Sequence, residues 1–349
     1  MQAGHARRHT IGTGLLWVAL GILGGCGGGG GEGGDTGADA GVGVAPPPVT
    51  SINTGNADGV ASRSYAMVGG MFGAIDAATA QLKSADANRP PLSPVRLSIT
   101  AIQWADGGLP SAQDAAGSAV VGKAVRSATE ACPAGGRIVG VADDANDDGV
   151  LNAGDSVRMT FERCVVEGNV VNGSIAFVLQ ARASTAVSVT TDAVYTFSNL
   201  SATSGGATST INGDMRLRAT ISTASPVMVD LEVSGSRLES SESGQTRALT
   251  SYSGRASFDD ARRTISYAVW GQAAGTDLPG MLSLEMPSAF VRTNDAEPTA
   301  GALRVTGSDG SALRVTASPP AGVQLWLDTD GDGAAESTRA LSWAQLGAR

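Results

Sequence analysis

An apolar side chain occupies every second position of the stretch Val227-Met228-Val229-Asp230-Leu231-Glu232-Val233-Ser234, and this alternation indicates the fold class. The same period of two recurs at residues 157–161, 175–179 and 215–221. Successive side chains of a strand point to opposite faces, so this period predicts strands with one buried and one solvated face. From about residue 116 onward we expect roughly a dozen such strands.

Turn signals between these stretches predict a meander. Four dipeptides of this kind are Asn172-Gly173, Asn212-Gly213, Ser243-Gly244 and Asp309-Gly310. The last lies between two copies of Ala-Leu-Arg-Val-Thr, at 302–306 and 312–316, which predicts a hairpin whose two arms share a sequence. A meander of this size must curl, so we expect a mainly β fold with a large curved antiparallel sheet, either a half-barrel or a sandwich.

A helical pattern precedes the strands, at residues 61–82. Apolar residues recur there at spacings of three and four, at Tyr65, Val68, Phe72, Ile75, Ala78 and Leu82. This spacing places them on one face and predicts an N-terminal helix packed against the sheet. Gly69, Gly70 and Gly73 weaken the pattern or allow another element to approach closely. The prolines at 90, 91 and 94 are expected to end regular structure, and residues 95–104 fit a helix or a strand.

Composition excludes several functions. The 349 residues are 42% hydrophobic, which is enough for a core, and the net charge of −9 argues against a nucleic-acid partner. The only histidines are His5 and His9, so a Ser-His-Asp triad, a Cys-His pair and an H-E-x-x-H zinc site are all excluded from the mature chain. A carboxylate-based glycosidase survives as a less favoured alternative, and we predict no enzyme and no catalytic residues.

Residues 1–25 have the features of a secretory signal peptide. Arg7 and Arg8 precede an apolar run at residues 11–23, which is shorter than the about 20 residues that span a bilayer. Leu23-Gly24-Gly25-Cys26 follows and resembles the lipobox of bacterial lipoproteins. The resemblance implies cleavage before Cys26 and its acylation. Gly27, rather than Asp, after the cysteine favours the outer membrane.

The lipobox sets the predicted domain organisation. Residues 26–57 comprise the lipidated Cys26 and a Gly-rich tether that opens with five glycines, and residues 58–349 form a single β-rich domain with the N-terminal helix. The membrane is then a partner through the lipid anchor, and the domain lies in the periplasm or on the cell surface. The whole chain resembles β-rich bacterial lipoproteins, a resemblance that implies a location and no activity.

Two cysteines remain after Cys26. An even pair in an oxidising compartment predicts a disulfide between Cys132 and Cys164. In the chain-entropy model such a bond stabilises the fold by about 3–4 kcal/mol.

The segment 144–155 carries the first chemical signal. Counted from Asp144, oxygen side chains occupy positions 1, 3, 5, 9 and 12, with Gly149 at position 6. These ligands are Asp144, Asn146, Asp148, Asn152 and Asp155, and position 7 adds the Val150 carbonyl. The pattern resembles the calcium loops of EF-hands, and most closely those of dockerins, but the flanking residues predict strands instead of helices.

A second acidic segment begins at Asp328. Its acids at positions 1, 3, 5 and 9 are Asp328, Asp330, Asp332 and Glu336, and position 7 offers the Ala334 carbonyl. Position 12 is Arg339, so Glu336 would have to replace the usual closing acid. This shorter form resembles calcium repeats of extracellular β-rich proteins. For both segments the alternative is an Asp- and Gly-rich turn with solvated charges; we predict structural calcium at both.

These features leave two non-enzymatic hypotheses. One is a calcium-stabilised envelope protein with a binding or structural role, whose partner is an envelope macromolecule. The other, by analogy of fold with periplasmic half-barrels, is a carrier of a lipid or another hydrophobic ligand. The carrier requires a cavity, which Phe177, Met215, Leu231 and Tyr267 could equally fill. The oligomeric state is left open.

Overall fold

Fourteen antiparallel strands form one open sheet in sequence order, from the edge strand β1 to the edge strand β14. The computed structural model describes residues 49–72, 94–108 and 124–347, apart from 133, 167–168, 205, 223, 243, 295 and 321. The strands are β1 Ala124–Ala131, β2 Arg137–Asp144, β3 Ser156–Val166, β4 Asn169–Ser184, β5 Ser188–Ser204, β6 Ala207–Ser222, β7 Met228–Glu242, β8 Gln245–Asp259, β9 Thr264–Gly275, β10 Leu282–Thr293, β11 Ala300–Thr306, β12 Ala312–Ser318, β13 Gly322–Asp328 and β14 Ser337–Ser342. The predicted antiparallel meander is confirmed, and it is a single sheet instead of the two sheets of a sandwich.

In the described part of the chain, three helices accompany the sheet: α1 (Ala57–Phe72), α2 (Pro94–Gly108) and α3 (Trp343–Leu346). The helix predicted at 61–82 begins four residues earlier, at Ala57, and its residues beyond Phe72 lie outside the described part. Residues 95–104, which fitted either element, belong to α2. Pro94 begins this helix instead of ending structure, because the first helical position needs no N–H donor. Among the described residues, no helix is long and apolar enough to span a bilayer.

The helices cover the face of the sheet that carries the apolar positions. In β7, for example, Val229, Leu231 and Val233 are buried while the residues between them are exposed. Helix α1 packs on β9, β11 and β12, and the Tyr65 hydroxyl lies 3.1 Å from the Tyr267 hydroxyl of β9. Helix α2 packs on β6. The alternation therefore positions a core that runs across the whole sheet.

Gly69 and Gly70 of helix α1 are not sites of close packing, and Gly73 lies outside the described residues. A Cβ placed on Gly69 or Gly70 would meet nothing within 4 Å. The sequence left open that these glycines admit a neighbouring element, and among the described residues none approaches them.

Two of the four predicted turns are wrong. Asn172-Gly173 lies inside β4 and Asn212-Gly213 lies inside β6, and both sit beside shifts of register in the strand pairing. The Asn212 side-chain oxygen accepts a hydrogen bond from the Asn199 backbone N–H at 2.6 Å. Gly173 has a φ of 98°, and a Cβ there would lie 2.1 Å from the Asn199 carbonyl oxygen. The pairs therefore form bulges, which bend and twist strands.

The other predicted turns are in place where they can be described. Asp309-Gly310 connects β11 with β12, so the hairpin with repeated arms is confirmed. Gly244 lies between β7 and β8, and residue 243 is outside the described part.

The folded part begins before residue 58, where the sequence placed the end of the tether. The Thr50 N–H donates to the Ser308 hydroxyl at 2.7 Å, and the Ile52 N–H donates to the Ser311 hydroxyl at 2.8 Å. Ile52 is fully buried. Residues 50–57 therefore belong to the domain, attached to the turn between β11 and β12.

Cys132 and Cys164 form the predicted disulfide, with their Cα atoms 5.4 Å apart. The bond joins the connection after β1 to strand β3. It therefore closes the chain around β2 and the first acidic segment.

Candidate metal centres

Both acidic segments are loops that begin at the buried end of a strand. The first acidic loop (residues 144–155) connects β2 with β3, and the second acidic loop (residues 328–336) connects β13 with β14. Asp144 and Asp328 are the last residues of their strands, and each is 2% exposed. Successive connections of a meander alternate between the two ends of the strands, which puts the two loops at opposite ends.

The first acidic loop is folded by its own side chains. The Gly149 N–H donates to the Asp144 carboxylate at 2.8 Å, which joins positions 6 and 1. The Val150 N–H donates to Asp148 at 2.8 Å, and the Asp148 N–H donates to the Asn146 amide oxygen at 3.3 Å. The loop therefore curves around its own short acceptor side chains, and the glycine at position 6 allows the turn.

Asp155 closes the first loop. Its carboxylate accepts from the Ala145 N–H at 2.8 Å and from the Asn152 N–H at 2.7 Å, and the residue is only 3% exposed. The Asn152 amide group donates to Asp148 at 2.9 Å and to the Val150 carbonyl at 3.0 Å. The six predicted ligands are therefore gathered in one loop. A half-turn of the Asn152 amide would present its oxygen in place of its NH₂ group.

The second acidic loop repeats this hydrogen-bonding pattern. The Gly333 N–H donates to Asp328 at 3.0 Å, again joining positions 6 and 1. The Asp332 N–H donates to Asp330 at 3.2 Å, and the Ala334 N–H donates to Asp332 at 2.7 Å. The first seven positions of the two loops therefore share one hydrogen-bonding pattern.

Glu336 closes the second loop from position 9. Its carboxylate accepts from the backbone N–H of Thr329 and, at 3.1 Å, from the Thr329 hydroxyl. Arg339, at position 12, instead forms an ion pair with Asp58 of α1. The prediction that Glu336 serves in place of a position-12 acid therefore agrees with the geometry. Sequence reasoning missed Thr329, although a hydroxyl at position 2 is a signal that could have been noticed.

The second loop concentrates negative charge. One ligand atom from each of its four acids lies within 4.8 Å of the others; these acids are Asp328, Asp330, Asp332 and Glu336. Carboxylates at such separations repel one another, and a bound cation would reverse this repulsion. The four side chains could therefore hold a metal ion. Within the described residues, the acids of the first loop do not form a second group of this kind.

The remaining predicted site residues fall outside these loops. Cys26 and the rest of the lipobox lie outside the described residues. The residues on which the carrier hypothesis depended, Phe177, Met215, Leu231 and Tyr267, are all buried in the core. A pocket of about 60 Å³ lies between the start of α1 and strands β12–β14, against the roughly 300–1,000 Å³ of typical ligand sites.

Comparisons with known proteins add no family to this description. No family model matches the chain, and searches of curated proteins and of solved structures find no match. A function for this chain therefore has to be inferred from its own residues.

Proposed function

We propose that this chain is a lipid-anchored protein of the bacterial cell envelope, whose β domain binds calcium at its two acidic loops and has a binding or structural role. The lipid anchor is supported by Leu23-Gly24-Gly25-Cys26 and by the apolar run before it. Calcium is supported by the loops. The two parts of the proposal are independent and have separate tests.

The observation that carries the calcium proposal is the group of four carboxylates in the second acidic loop, with ligand atoms within 4.8 Å of one another. All these ligands are oxygens, which suit calcium or magnesium better than zinc, since zinc in proteins prefers nitrogen and sulfur. Calcium takes six to eight oxygen ligands in flexible geometry, whereas magnesium requires a near-ideal octahedron and keeps several waters. A loop rich in carboxylates and carbonyls therefore favours calcium.

The role of the ion would be structural. The first acidic loop joins β2 to β3 next to the edge strand β1, and the second joins β13 to the edge strand β14. The edges of an open sheet are where pairing is most easily lost or extended to another chain. An ion at each loop would hold an edge of the sheet in place while leaving its outer face accessible to a partner.

Native mass spectrometry of the mature chain tests the calcium proposal. The chain from residue 26, carrying Cys26→Ser and freed of metal by a chelator, is titrated with calcium, with excess magnesium as competitor. We expect two calcium masses, one lost in Asp144→Asn and the other in Asp328→Asn. Asp230→Asn, which removes an exposed acid of β7, is the matched control and should keep both. Bare protein in millimolar calcium would exclude the proposal.

The mass of the protein isolated from cells tests the lipid anchor. We expect a mature chain that starts at Cys26, carries acyl groups and fractionates with the outer membrane. Cys26→Ser should release it from the membrane fraction. A chain that retains residues 1–25, or that starts at another residue without acyl groups, would contradict the anchor and leave the calcium test unaffected.

A further inference from the structure

The outer face of the sheet carries a row of side chains that neither the core nor the acidic loops use. Cross-strand pairing places Glu285 of β10 opposite Arg304 of β11, Arg304 opposite Arg314 of β12, and Arg314 opposite Trp326 of β13. The repeated Ala-Leu-Arg-Val-Thr segment thus brings its two arginines face to face. We refer to Glu285, Arg304, Arg314 and Trp326 as the arginine row.

The row points away from the core. Glu285, Arg304 and Arg314 are exposed and Trp326 is half-buried, whereas the neighbours of the two arginines in the strands are fully buried. These neighbours are Leu303, Val305, Leu313 and Val315. Directly opposite residues on one face have Cβ atoms about 4.5–5.5 Å apart, so the two arginine side chains leave the sheet from adjacent positions.

The two arginines lack the partners that most arginines of this sheet have. Elsewhere on the strands, Arg216 pairs with Asp192 at 2.7 Å and Arg137 pairs with Glu162 at 2.6 Å. Arg304 and Arg314 form no hydrogen bond and no ion pair with any described residue, and this includes Glu285. Unlike those pairs, the row offers its guanidinium groups to solvent.

Folding alone does not account for this arrangement. Like charges directly opposite each other on neighbouring strands are destabilising. The whole chain has a net charge of −9, so two adjacent unpaired cations are also unusual for its composition. Two adjacent cations of this kind are expected where a bound anion neutralises them in a complex.

We propose that the arginine row binds an acidic polysaccharide through its carboxylates. A guanidinium group presents a planar fork of N–H donors that matches a carboxylate, and two such forks side by side suit a polymer that carries repeated carboxylates. Trp326 follows Arg314 in the row, and its indole face attracts the polarised C–H groups on the apolar side of a sugar ring. The ligand binds across an open sheet face, which favours an extended chain.

Other anionic polymers fit the row less well. A nucleic acid binds mainly by neutralisation of many phosphates, whereas the arginine row supplies two cations, whose planar forks suit carboxylates. A lipid headgroup would use the arginines and leave Trp326 without a sugar ring to contact. Trp270, which lies opposite Glu285 on β9, is already covered by the Arg255 guanidinium at 5.5 Å, so Trp326 is the aromatic side chain that the row offers.

Affinity electrophoresis and calorimetry of the mature chain with Cys26→Ser test this proposal. The probe is polygalacturonate in calcium-free buffer, with neutral dextran as the comparison polymer. We expect binding to polygalacturonate alone, and a loss of about tenfold or more in affinity for Arg304→Gln and for Arg314→Gln. The matched control is Arg218→Gln, which removes a similarly exposed outer-face arginine that lies 3.9 Å from Glu232. It should bind as the unmodified chain does.

Two further variants separate binding from folding. Glu285→Gln removes the one negative charge of the row, so its affinity for polygalacturonate should rise. Arg314→Gln should not lower the melting temperature, because it relieves a like-charge contact. Trp326→Ala should weaken binding with the arginines intact.

Three results would overturn the proposal: no preference for polygalacturonate over dextran, equal affinity of the row variants and Arg218→Gln, or tighter binding of single-stranded DNA or of vesicles with anionic phospholipid. The Asp328→Asn chain should still bind polygalacturonate, which separates this test from that of calcium.

Discussion

The two acidic loops share a hydrogen-bonding pattern but are closed by different residues. In both, the first acid accepts from the N–H of position 6, and the last acid accepts from the N–H of position 2. Asp155 does this from position 12, whereas Glu336, with a longer side chain, does it from position 9. The contact at position 2 is therefore the shared feature of closure, and the number of residues between the first and last acids varies around it.

The loops differ more in what holds them to the rest of the molecule. The first contains a buried Leu151 and a buried Asp155, and it lies inside the segment closed by the disulfide. The second is exposed from Asp330 to Glu336 and has no covalent closure. Each loop contains four carboxylates, but the four of the second lie together, whereas the side chains predicted to bind an ion in the first are three carboxylates and two amides. We therefore expect the first loop to depend on packing and the second on its ion.

Removal of the disulfide should have the largest effect, and it should affect the first loop and not the second. Cys132→Ser with Cys164→Ser removes a link of sequence separation 32, which should lower the free energy of unfolding by about 3–4 kcal/mol in the chain-entropy model. Urea denaturation measures the loss. Hydrogen exchange should then be faster at the Gly149 N–H of the first loop and unchanged at the Gly333 N–H of the second. Equal acceleration at both would contradict the separation.

Calcium removal should also destabilise the protein, but with the larger effect at the second loop. At a concentration 100 times the dissociation constant, an ion that binds only the folded state adds about 2.7 kcal/mol per site. A chelator should remove this contribution, with the greater increase in hydrogen exchange at the second loop, where repulsion among four carboxylates is left uncompensated. Magnesium at the same ionic strength controls for screening. A larger response at Gly149 than at Gly333 would show that packing does not protect the first loop.

Substitution of the closing residues tests whether the two closures are equivalent. Glu336→Gln keeps the shape of the side chain and removes one charge from the second loop, and Asp155→Asn does the same in the first. Each should weaken calcium binding about tenfold at its own loop, since hydrogen bonds and contacts of a charged group are worth about 1.5–3 kcal/mol. Calorimetric titration of each variant measures this. A loss at the first loop alone would mean that Glu336 is not a ligand.

Sequence patterns were sufficient for the strands and for the cluster of acids in the second loop, because both are local. Alternation fixes which side chains of Val229–Val233 face the core, and the spacing from Asp328 to Glu336 fixes which oxygens can meet. The repeat at 302–306 and 312–316 likewise predicted its hairpin. Each of these conclusions requires only residues that are close in the chain.

Interactions between side chains of different strands could not be predicted from the sequence. Asn212-Gly213 has the composition of a turn, and it forms a bulge because the Asn199 backbone on the neighbouring strand supplies a partner for Asn212. The arginine row is hidden for the same reason, since its members come from four different strands. The boundary of the domain also depended on a distant contact, between Ile52 and Ser311.

The end of the sheet that carries the second loop has one further support, an acid between two arginines. The Asp277 side chain is 6% exposed and lies 2.6 Å from Arg247 of β8 and 3.2 Å from Arg63 of α1. Burial raises the pKa of this carboxyl, but the hydrogen bond and charge of Arg247, together with the charge of Arg63, outweigh burial and lower the pKa below its usual value. The pair of contacts ties α1 to the sheet.

The smallest predicted effect follows from this lowered pKa. A carboxyl whose pKa is lower in the folded state stabilises the fold fully above its unfolded pKa of about 3.9, and the contribution is lost as the pH falls through the folded pKa. Asp277→Asn should therefore cost about 1 kcal/mol at pH 7 and progressively less below pH of about 4, where the unmodified protein loses the same contribution. Urea midpoints at several pH values measure the difference, with Asp230→Asn as control.

Because α1 also carries Asp58, the partner of Arg339 beside the second loop, hydrogen exchange in Asp277→Asn should increase at Gly333 and not at Gly149. A uniform change at both loops would show that α1 supports the whole sheet and not this end of it.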